Sequence, residues 1–392
     1  MFENSSPTED NGDATQSTVP TSKLEHTTSS QQSESIFRRK SVREILNEEE
    51  DVKEDEPFLP EVTEEIKEAG ELPPPRSSFY NQILLILPFS VLGVYCRIIL
   101  QGATPPGLVN YLSSQVVGSF VIGYVFHNKD LLHPDIFVAI STGFCGSVTT
   151  FSTWQLDVVE AIVGVPGSQT YAGGKAYVWF QDQIVGFAVP YVALIYGKIL
   201  SKYSQAWLRK NIAKVFPRTD DSTKMDNLIL SFSILSFILG LTGVIIGASL
   251  VPDITTFSLI FAAPGAWLRF LLSRHLNPLS MKFFWGTFIA NILASVISGI
   301  MFGITTLYVF PTLSCQAIWA VEIGFSGALS TISTFVNEIH ILTKRKYAII
   351  YGFTSVLIAQ ALLIVIAGSF VWTQEKPFND PLICYYQMEN LL

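Results

Sequence analysis

Two stretches rich in glycine, serine and threonine contain the residue types most capable of chemistry in this sequence. Residues 143–154 read GFCGSVTTFSTW, residues 324–335 read GFSGALSTISTF, and six of the twelve positions are identical. Small residues let helices approach closely, which is the simpler interpretation of both stretches. Paired glycines followed by β-branched and hydroxyl residues also favour a break in a helix, and the carbonyl groups freed at such a break can bind a cation.

Two arginines recur at the same spacing from a glycine. Arg97 follows Gly93 by four residues and Arg269 follows Gly265 by four residues, each inside an apolar segment. An arginine in such a segment is a candidate functional residue, although its long side chain can also extend to the membrane interface. Near a pore mouth, this permanent positive charge would attract anions. The middle of the apolar segments contains few carboxylates, which favours an anion pathway over a cation pathway.

These residues lie in a chain that is far more apolar than a soluble enzyme. Only 15% of the 392 residues are charged and the mean hydropathy is +0.37, whereas soluble domains contain about 25% charged residues. Apolar segments of roughly 20 residues can cross a bilayer as helices. Nine such segments cover residues 83–100, 111–126, 136–162, 184–200, 228–251, 257–272, 283–308, 318–342 and 347–372.

The composition also excludes a nucleic-acid binder, a disulfide scaffold and a fully disordered protein. Residues 1–80 hold 19 of the 33 acidic residues, and we predict that residues 1–78 form a disordered, acidic, cytosolic tail because they contain too little apolar surface to fold. Nothing near the N-terminus resembles a signal peptide. The four cysteines have no metal-ligand spacing, and three of them (Cys96, Cys145 and Cys315) lie in or beside apolar runs, where a thiol usually acts as a small hydrophobe.

Lysine and arginine in the loops predict the orientation of the chain in the membrane. Seven basic residues lie between positions 198 and 224, and three more occupy 344–346. The loops at 101–110, 252–256 and 309–317 contain none. Nine spans with the N-terminus inside and the C-terminus outside satisfy this distribution.

The two similar stretches belong to a larger internal repeat. They lie in the third and eighth apolar segments, while Gln115 of the second segment aligns with Asn291 of the seventh. Because the fifth segment carries the chain across the membrane, the second copy would begin from the opposite side, which gives inverted repeats. We therefore predict an all-α polytopic membrane protein. Its parts are a first four-helix repeat (79–203), a basic cytosolic linker with a linking transmembrane helix (204–255), a second, inverted four-helix repeat (256–373) and an extracellular C-terminal tail (374–392).

The repeated glycine, Thr-Thr-Phe-Ser-Thr and arginine elements resemble the Fluc (CrcB) family of fluoride channels. Two copies with an extra middle helix resemble the fused fluoride exporters of fungi, and the resemblance covers about residues 80–372. It implies a passive, fluoride-selective channel in the plasma membrane, with fluoride and membrane lipid as partners and no enzymatic activity. It also implies that one chain works as a monomer, because its two repeats form the pseudo-dimer.

The resemblance further implies a set of site residues. A structural sodium ion would be held by backbone carbonyl groups at the two helix breaks, at Gly146, Thr149, Gly327 and Ser330. The expected pore residues are Phe151, Phe335, Asn291, Tyr347, Tyr351, Ser355, Thr331, Ser333, Arg97 and Arg269. Three positions depart from the family pattern and would mark a vestigial pore, namely Trp154, Ile332 and Gln115.

These departures predict that only one of two ancestral pores conducts. If each pore takes one aromatic ring from each copy, Phe151 pairs with Phe335, whereas Trp154 pairs with Ile332. The first pairing keeps both phenylalanines and the second keeps neither. A passive channel suffices for export, since one charge crossing 100 mV gains about 2.3 kcal/mol and a negative interior expels an anion.

Three other functions fit part of the sequence. A secondary transporter of another small ion or metabolite would also contain inverted repeats and broken helices. Residues 324–327 match the Gly-x-Ser-Gly of rhomboid proteases, but the nearest candidate base, His340, lies fourteen residues from Ser326 along the same segment. A structural or regulatory membrane protein would need no polar stripe along its helices.

Overall fold

The structure is a computed structural model that describes residues 78–104, 109–165, 174–215, 222–342 and 344–373, together with Cys384. Within these residues, helices occupy all nine predicted apolar segments. The helices are α1 (Phe79–Gly102), α2 (Leu112–His127), α3 (Pro134–Val163), α4 (Lys175–Val215), α5 (Ser222–Leu250), α6 (Ile254–Leu276), α7 (Trp285–Leu307), α8 (Thr312–Ile341) and α9 (Arg345–Thr373).

Eight of these helices are long and apolar enough to span a bilayer. The exception is α2, whose 16 residues make it shorter than the usual span of about 20 residues. The prediction of an all-α polytopic membrane protein is therefore confirmed for the part of the chain that the structure describes.

Two helices, α3 and α8, are interrupted in the same way. Each widens into a π-helical turn, at Ala139–Cys145 and at Val321–Ser326, and each then narrows into one short α-helical turn. The backbone becomes extended at Thr149 and Thr150 in α3 and at Ser330 in α8. The predicted helix breaks are thus present. They divide each helix into a first half and a second half, and the second halves are Phe151–Val163 and Ser333–Ile341.

The two halves of each interrupted helix pack in different surroundings. The first half of α3 packs mainly against α1, and the first half of α8 mainly against α6, each in its own copy, while the two short turns before the breaks contact each other. The second half of α3 packs against α7 and α9 of the second copy, as well as α4. The second half of α8 packs against α2 and α4 of the first copy, as well as α9. This exchange brings residues of both copies together around the breaks.

The helix between the two copies, α5, lies at the periphery. Only 17% of its most apolar 18-residue stretch is buried, which is the lowest value among the eight long helices that the structure describes. It contacts α1, where Gly240 lies against Leu87 and Pro88. The preceding helix α4 continues to Val215, so the beginning of the predicted cytosolic linker is helical.

A disulfide connects the C-terminal segment to the start of α8. Cys384 is bonded to Cys315, with a Cα–Cα distance of 5.6 Å, and both residues are buried. The expectation that Cys315 acts as a small hydrophobe is therefore wrong, whereas Cys96 and Cys145 are free cysteines. Apart from Ser78 and Cys384, the two predicted tails, 1–78 and 374–392, lie outside the described residues.

Candidate functional site

The break in α3 contacts the second half of α8 through one hydroxyl group. The Oγ1 atom of Thr149 lies 3.0 Å from the Oγ atom of Ser333. It also accepts hydrogen bonds from the backbone N–H groups of Ser333, at 3.1 Å, and Ile332, at 3.3 Å. The first N–H groups of a helix lack intrahelical partners, so Thr149 acts as a cap for a helix of the other copy.

The break in α8 makes the reciprocal contact with α3. The Oγ atom of Ser330 lies 3.0 Å from the Oγ atom of Ser152. It accepts hydrogen bonds from the backbone N–H groups of Phe151 and Ser152, both at 3.2 Å. The two breaks therefore cross, and each break caps the second half-helix of the other copy. The sequence analysis predicts a function for the backbone carbonyl groups at the breaks. It does not predict that the hydroxyl groups of Thr149 and Ser330 cap helices.

Both repeated arginines reach this crossing. Arg97 and Arg269 are each only 2% exposed, so neither extends to the membrane interface. The Nη1 atom of Arg269 donates to the carbonyl oxygens of Gly146, at 2.6 Å, and Ser330, at 3.0 Å. The Nη2 atom of Arg97 donates to the carbonyl oxygen of Ile323. The structure thus places the two guanidinium groups against the helix breaks.

Two glycines lie where the arginines approach the helix breaks. A Cβ atom at Gly146 would collide with the guanidinium group of Arg269, and one at Gly327 would collide with that of Arg97. These two glycines are the second glycines of the repeated motif. Their role is to make room for a cation from the opposite copy.

The carbonyl groups expected to hold sodium have suitable chemistry, because neutral oxygen ligands suit a hard cation. Two of the four, those of Gly146 and Ser330, accept hydrogen bonds from Arg269. A sodium ion at this position would therefore compete with the Arg269 guanidinium group for half of its expected ligands.

An aromatic cluster lies beside the crossing and contains residues of both copies. The ring centroids of Phe151 and Phe335 are 5.4 Å apart with an interplanar angle of 72°, and those of Phe335 and Tyr351 are 5.2 Å apart. All three side chains are fully buried. The predicted pairing of Phe151 with Phe335 is seen in the structure. Such edge-to-face rings present positively polarised edges, which can contact an anion.

The residues predicted for the vestigial pore are buried in the same cluster. Trp154 lies 5.6 Å from Phe151 between ring centroids, and its Nε1 atom donates to the carbonyl oxygen of Asp182 at 3.1 Å. Ile332 is fully buried. Both side chains thus fill space, and neither Ile332 nor the bonded indole of Trp154 offers a free donor.

The aligned amide side chains of α2 and α7 support the two breaks. The Oδ1 atom of Asn291 accepts from the backbone N–H of Thr331 at 2.8 Å, and its Nδ2 atom donates to the carbonyl oxygen of Thr331 at 3.3 Å. Gln115 makes one such contact, from Nε2 to the carbonyl oxygen of Thr150 at 2.7 Å. The hydroxyl groups of Thr331 and Ser333 lie 3.3 Å apart beside this contact.

The polar stripe of α9 is only partly directed at the cluster. Tyr351 contacts Phe335, whereas the hydroxyl of Ser355 donates back to the carbonyl oxygen of Tyr351 at 2.7 Å. Tyr347 is half-buried near the start of the helix, and the Nζ atom of Lys282 lies 5.5 Å from its ring centroid. The stripe therefore extends from a basic end of the protein to the aromatic cluster.

A buried carboxyl group next to this stripe is absent from the predicted site. Glu338 accepts hydrogen bonds from the hydroxyl groups of Tyr351 and Thr287, both at 2.6 Å, and from Nδ2 of Asn277 at 3.2 Å. It lies three residues after Phe335 and is only 4% exposed. This spacing places both residues on one helix face, which is the sequence signal that could have identified Glu338.

The protease alternative receives no support from the geometry. His340 lies in the second half of α8, and its Nδ1 atom is 3.2 Å from the hydroxyl of Tyr191 on α4. Ser326, the candidate nucleophile, lies in the π-helical turn of the first half, on the other side of the break. A general base must lie within hydrogen-bond reach of its nucleophile.

The sequence comparisons agree with this twofold construction. The pattern of the CrcB-like protein family (Camphor Resistance, CrcB) matches residues 84–194 and, a second time, residues 256–369. Fluoride export protein 1 of Neurospora crassa is 26% identical over 353 residues, which cover 73% of this chain and 66% of that protein. Fluoride export protein 1 of Schizosaccharomyces pombe is 28% identical over 302 residues, which cover 72% of this chain and 94% of that protein.

A bacterial relative matches only a part of the chain. Fluoride-specific ion channel FluC 1 of Prochlorococcus marinus is 34% identical over 112 residues, which cover 28% of this chain but 84% of that protein. No solved structure matches the chain significantly. The two stretches matched by the family pattern cover more than half of the 392 residues and coincide with helices α1–α4 and α6–α9, so the chain belongs to the CrcB-like family.

Proposed function

We propose that this protein is a passive, fluoride-selective channel that exports fluoride from the cytosol and so gives fluoride resistance. The observation that carries the proposal is the pairing of Phe151 and Phe335 across the two copies, beside crossed helix breaks. The names of the fungal and bacterial relatives, which are fluoride export proteins and a fluoride-specific ion channel, supply the ion.

We propose one conducting pore, built where the second half of α3 packs against α7 and α9. In support, Phe151 shares a buried cluster with Tyr351, and the second half of α3 packs against α7, the helix that contains Asn291. The pore would contain Phe151, Phe335, Tyr347, Tyr351, Ser355, Thr331, Ser333 and Asn291. Trp154, Ile332 and Gln115 would belong to the vestigial counterpart.

In this pore, an anion meets hydrogen-bond donors and positively polarised ring edges, while the two guanidinium groups add a positive potential. Arg97 and Arg269 are buried, where charges act over longer distances than in water. Both donate to backbone carbonyl groups, and the Nη1 atom of Arg97 is buried without a protein partner. The membrane potential, worth about 2.3 kcal/mol per charge and 100 mV, then drives fluoride outward.

We propose nine spans in two inverted repeats, with the N-terminus inside and the C-terminus outside. In addition to the basic loops, the bond between Cys315 and Cys384 supports this orientation. Disulfides persist in oxidising compartments, and both cysteines lie in segments that the loop charges place outside. In this topology α2 also crosses, its 16 residues reaching about 24 Å at a rise of 1.5 Å per residue.

We also propose a structural sodium ion, held by the carbonyl groups of Gly146, Thr149, Gly327 and Ser330. Its binding requires Arg269 to release the carbonyl groups of Gly146 and Ser330. It predicts a higher melting temperature in sodium chloride than in N-methylglucamine chloride. Equal melting temperatures would indicate that the two arginines alone supply the positive charge at the crossing.

We further propose that the chain acts as a monomer in the plasma membrane. Residues of both copies complete the site within one chain, because each break caps a half-helix of the other copy. Cross-linking of the purified protein in lipid should therefore give a single-chain species.

The alternative is a secondary transporter of another small ion or metabolite. Flux from liposomes loaded with potassium fluoride separates the two functions. A passive channel releases fluoride only when valinomycin lets potassium follow, gives no chloride release, and ignores proton and sodium gradients. Release that scales with either gradient would identify a coupled transporter.

A further inference from the structure

The basic end of the α9 stripe contains two lysines beside one tyrosine ring. The Nζ atom of Lys282, in the turn before α7, lies 5.5 Å from the ring centroid of Tyr347, and that of Lys346 lies 5.1 Å from it. Both lysines are exposed, whereas Tyr347 is half-buried. An ammonium group is attracted to the face of an aromatic ring. The two positive charges are therefore held close together where the stripe begins.

Aromatic contacts attach the turn that contains Lys282 to the proposed pore. The next two residues, Phe283 and Phe284, pack edge-on against Tyr351, with ring centroids 5.0 Å and 5.8 Å away. The Tyr351 ring in turn lies 5.2 Å from that of Phe335. A continuous row of ring contacts therefore connects Lys282 to the conducting pair.

The positive charge of this pair of lysines is not neutralised within the described part of the chain. Neither lysine forms an ion pair with a described Asp or Glu. Glu338, bonded to Tyr351, already accepts hydrogen bonds from three side chains. Lys344 and Arg345, which directly precede Lys346, are exposed and add positive charge. Since like charges repel each other, an anion beside the Tyr347 ring would be stabilised by both ammonium groups.

We propose that Lys282, Lys346 and Tyr347 form a capture site at the inner mouth of the pore, where cytosolic fluoride gathers before it moves along the stripe. The inference rests on the proposed function, because it adds an entry step to the same pathway. From this site, the next ring of the stripe, Tyr351, is one helical turn away, or about 6 Å. Clustered charges of one sign raise the local concentration and the entry rate of an oppositely charged substrate by about tenfold or more.

A second ring beside two lysines provides a comparison on the same side of the membrane. The Nζ atoms of Lys129 and Lys198 lie 5.7 Å and 5.9 Å from the ring centroid of Phe126, near the end of α2. Phe126 is not part of the buried cluster that contains Phe151 and Phe335. Paired lysines alone therefore do not define a pore mouth. The first pair differs by its connection to the conducting pair.

Single-channel currents in planar bilayers test the site in the full chain, because reversing the voltage compares the two mouths of one molecule. At about 10 mM sodium fluoride, Lys282→Gln combined with Lys346→Gln should reduce the fluoride current that enters from the lysine side about fivefold, and should leave the reverse current within about twofold of wild type. Raising the ionic strength to about 1 M with sodium gluconate should shrink the reduction below about twofold, since salt screens exposed charges.

Two control variants separate mouth charge from other effects. Lys129→Gln combined with Lys198→Gln removes the same charge from the same side and should leave both currents within about twofold of wild type. Lys282→Arg combined with Lys346→Arg keeps both charges and should also conduct like wild type. Equal losses in both directions, a loss that salt does not reduce, or an equal loss from the Lys129 and Lys198 variant would overturn the proposal.

A wild-type chain without fluoride current would contradict the proposed function itself, and the charge of the mouth can then be measured without transport. Met281→Cys, exposed next to Lys282, should react faster with an anionic than with a cationic methanethiosulfonate. Loss of that preference in the Lys282→Gln and Lys346→Gln background would support the capture site. An unchanged ratio of the two reaction rates would overturn it.

Discussion

The buried hydrogen bond between Tyr351 and Glu338 connects the aromatic pair to a polar cluster farther along α8. The hydroxyl of Tyr351 is 2.6 Å from a carboxyl oxygen, and its ring lies against Phe335. Glu338 is held from three directions by residues of α7, α9 and the turn before α7. Such a connected polar cluster fixes the orientation of the ring, because a buried group without its partner is costly.

Tyr351→Phe should therefore destabilise the protein by about 1–3 kcal/mol, since one of the three donors to buried Glu338 is lost. Thermal unfolding in detergent measures the effect. The control is Tyr196→Phe on α4, where the side chain is exposed and no comparable change is expected. Equal melting temperatures for both variants would mean that the bond to Glu338 does not hold the ring.

At the scale of elements, the hydropathy pattern predicts all nine helices, and the Gly-Ser-Thr stretches predict both helix breaks. The exchange of the second halves of α3 and α8 could not be predicted, because it depends on contacts between residues some 180 positions apart. The same holds for Arg269, whose guanidinium group meets the carbonyl of Gly146. From the sequence alone, an arginine near the end of an apolar segment is expected to reach the membrane interface. In the structure, packing between the two copies buries the Arg269 side chain.

The exchange predicts that removing one hydroxyl weakens a helix of the other copy. Ser330→Ala deletes the acceptor for the N–H groups of Phe151 and Ser152 and should cost about 1 kcal/mol or more, the usual value of a lost N-cap. Ser369→Ala on α9 is the control, because that exposed hydroxyl bonds only its own helix. Thermal unfolding of both variants checks this. An unchanged Ser330→Ala variant would argue against capping between the copies.

At the scale of the whole molecule, the proposed membrane orientation predicts that the bond between Cys315 and Cys384 lies outside the cell. In intact cells, a membrane-impermeant reductant should open the bond between Cys315 and Cys384 and make both accessible to an impermeant maleimide. In a chain without these cysteines, Lys210→Cys, in the exposed extension of α4, should react only after permeabilisation. Labelling of Lys210→Cys in intact cells would contradict the inverted arrangement.

We expect the linking helix α5 to set the orientation of the second copy in the membrane, and we expect its individual side chains to contribute little to export. Deleting α5 should abolish fluoride export, because the second copy would then insert from the wrong side. Replacing α5 by an unrelated apolar helix of the same length should restore most export, since α5 buries little of its surface. Growth on fluoride of a strain without its own exporter measures both variants. Failure of the replacement helix would show that α5 contributes specific contacts.

The most direct test of a single fluoride pore is efflux from liposomes containing one of four variants. Phe151→Ile and Phe335→Ile remove the rings of the conducting pair and should slow fluoride efflux at least tenfold, about the cost of losing 1.4 kcal/mol at a barrier. Ile332→Val and Trp154→Phe change the vestigial pair conservatively and should retain efflux within about threefold of wild type, since volume changes of this size cost little. Equal slowing by all four variants would contradict the account, because it would show that the two copies contribute equally to conduction.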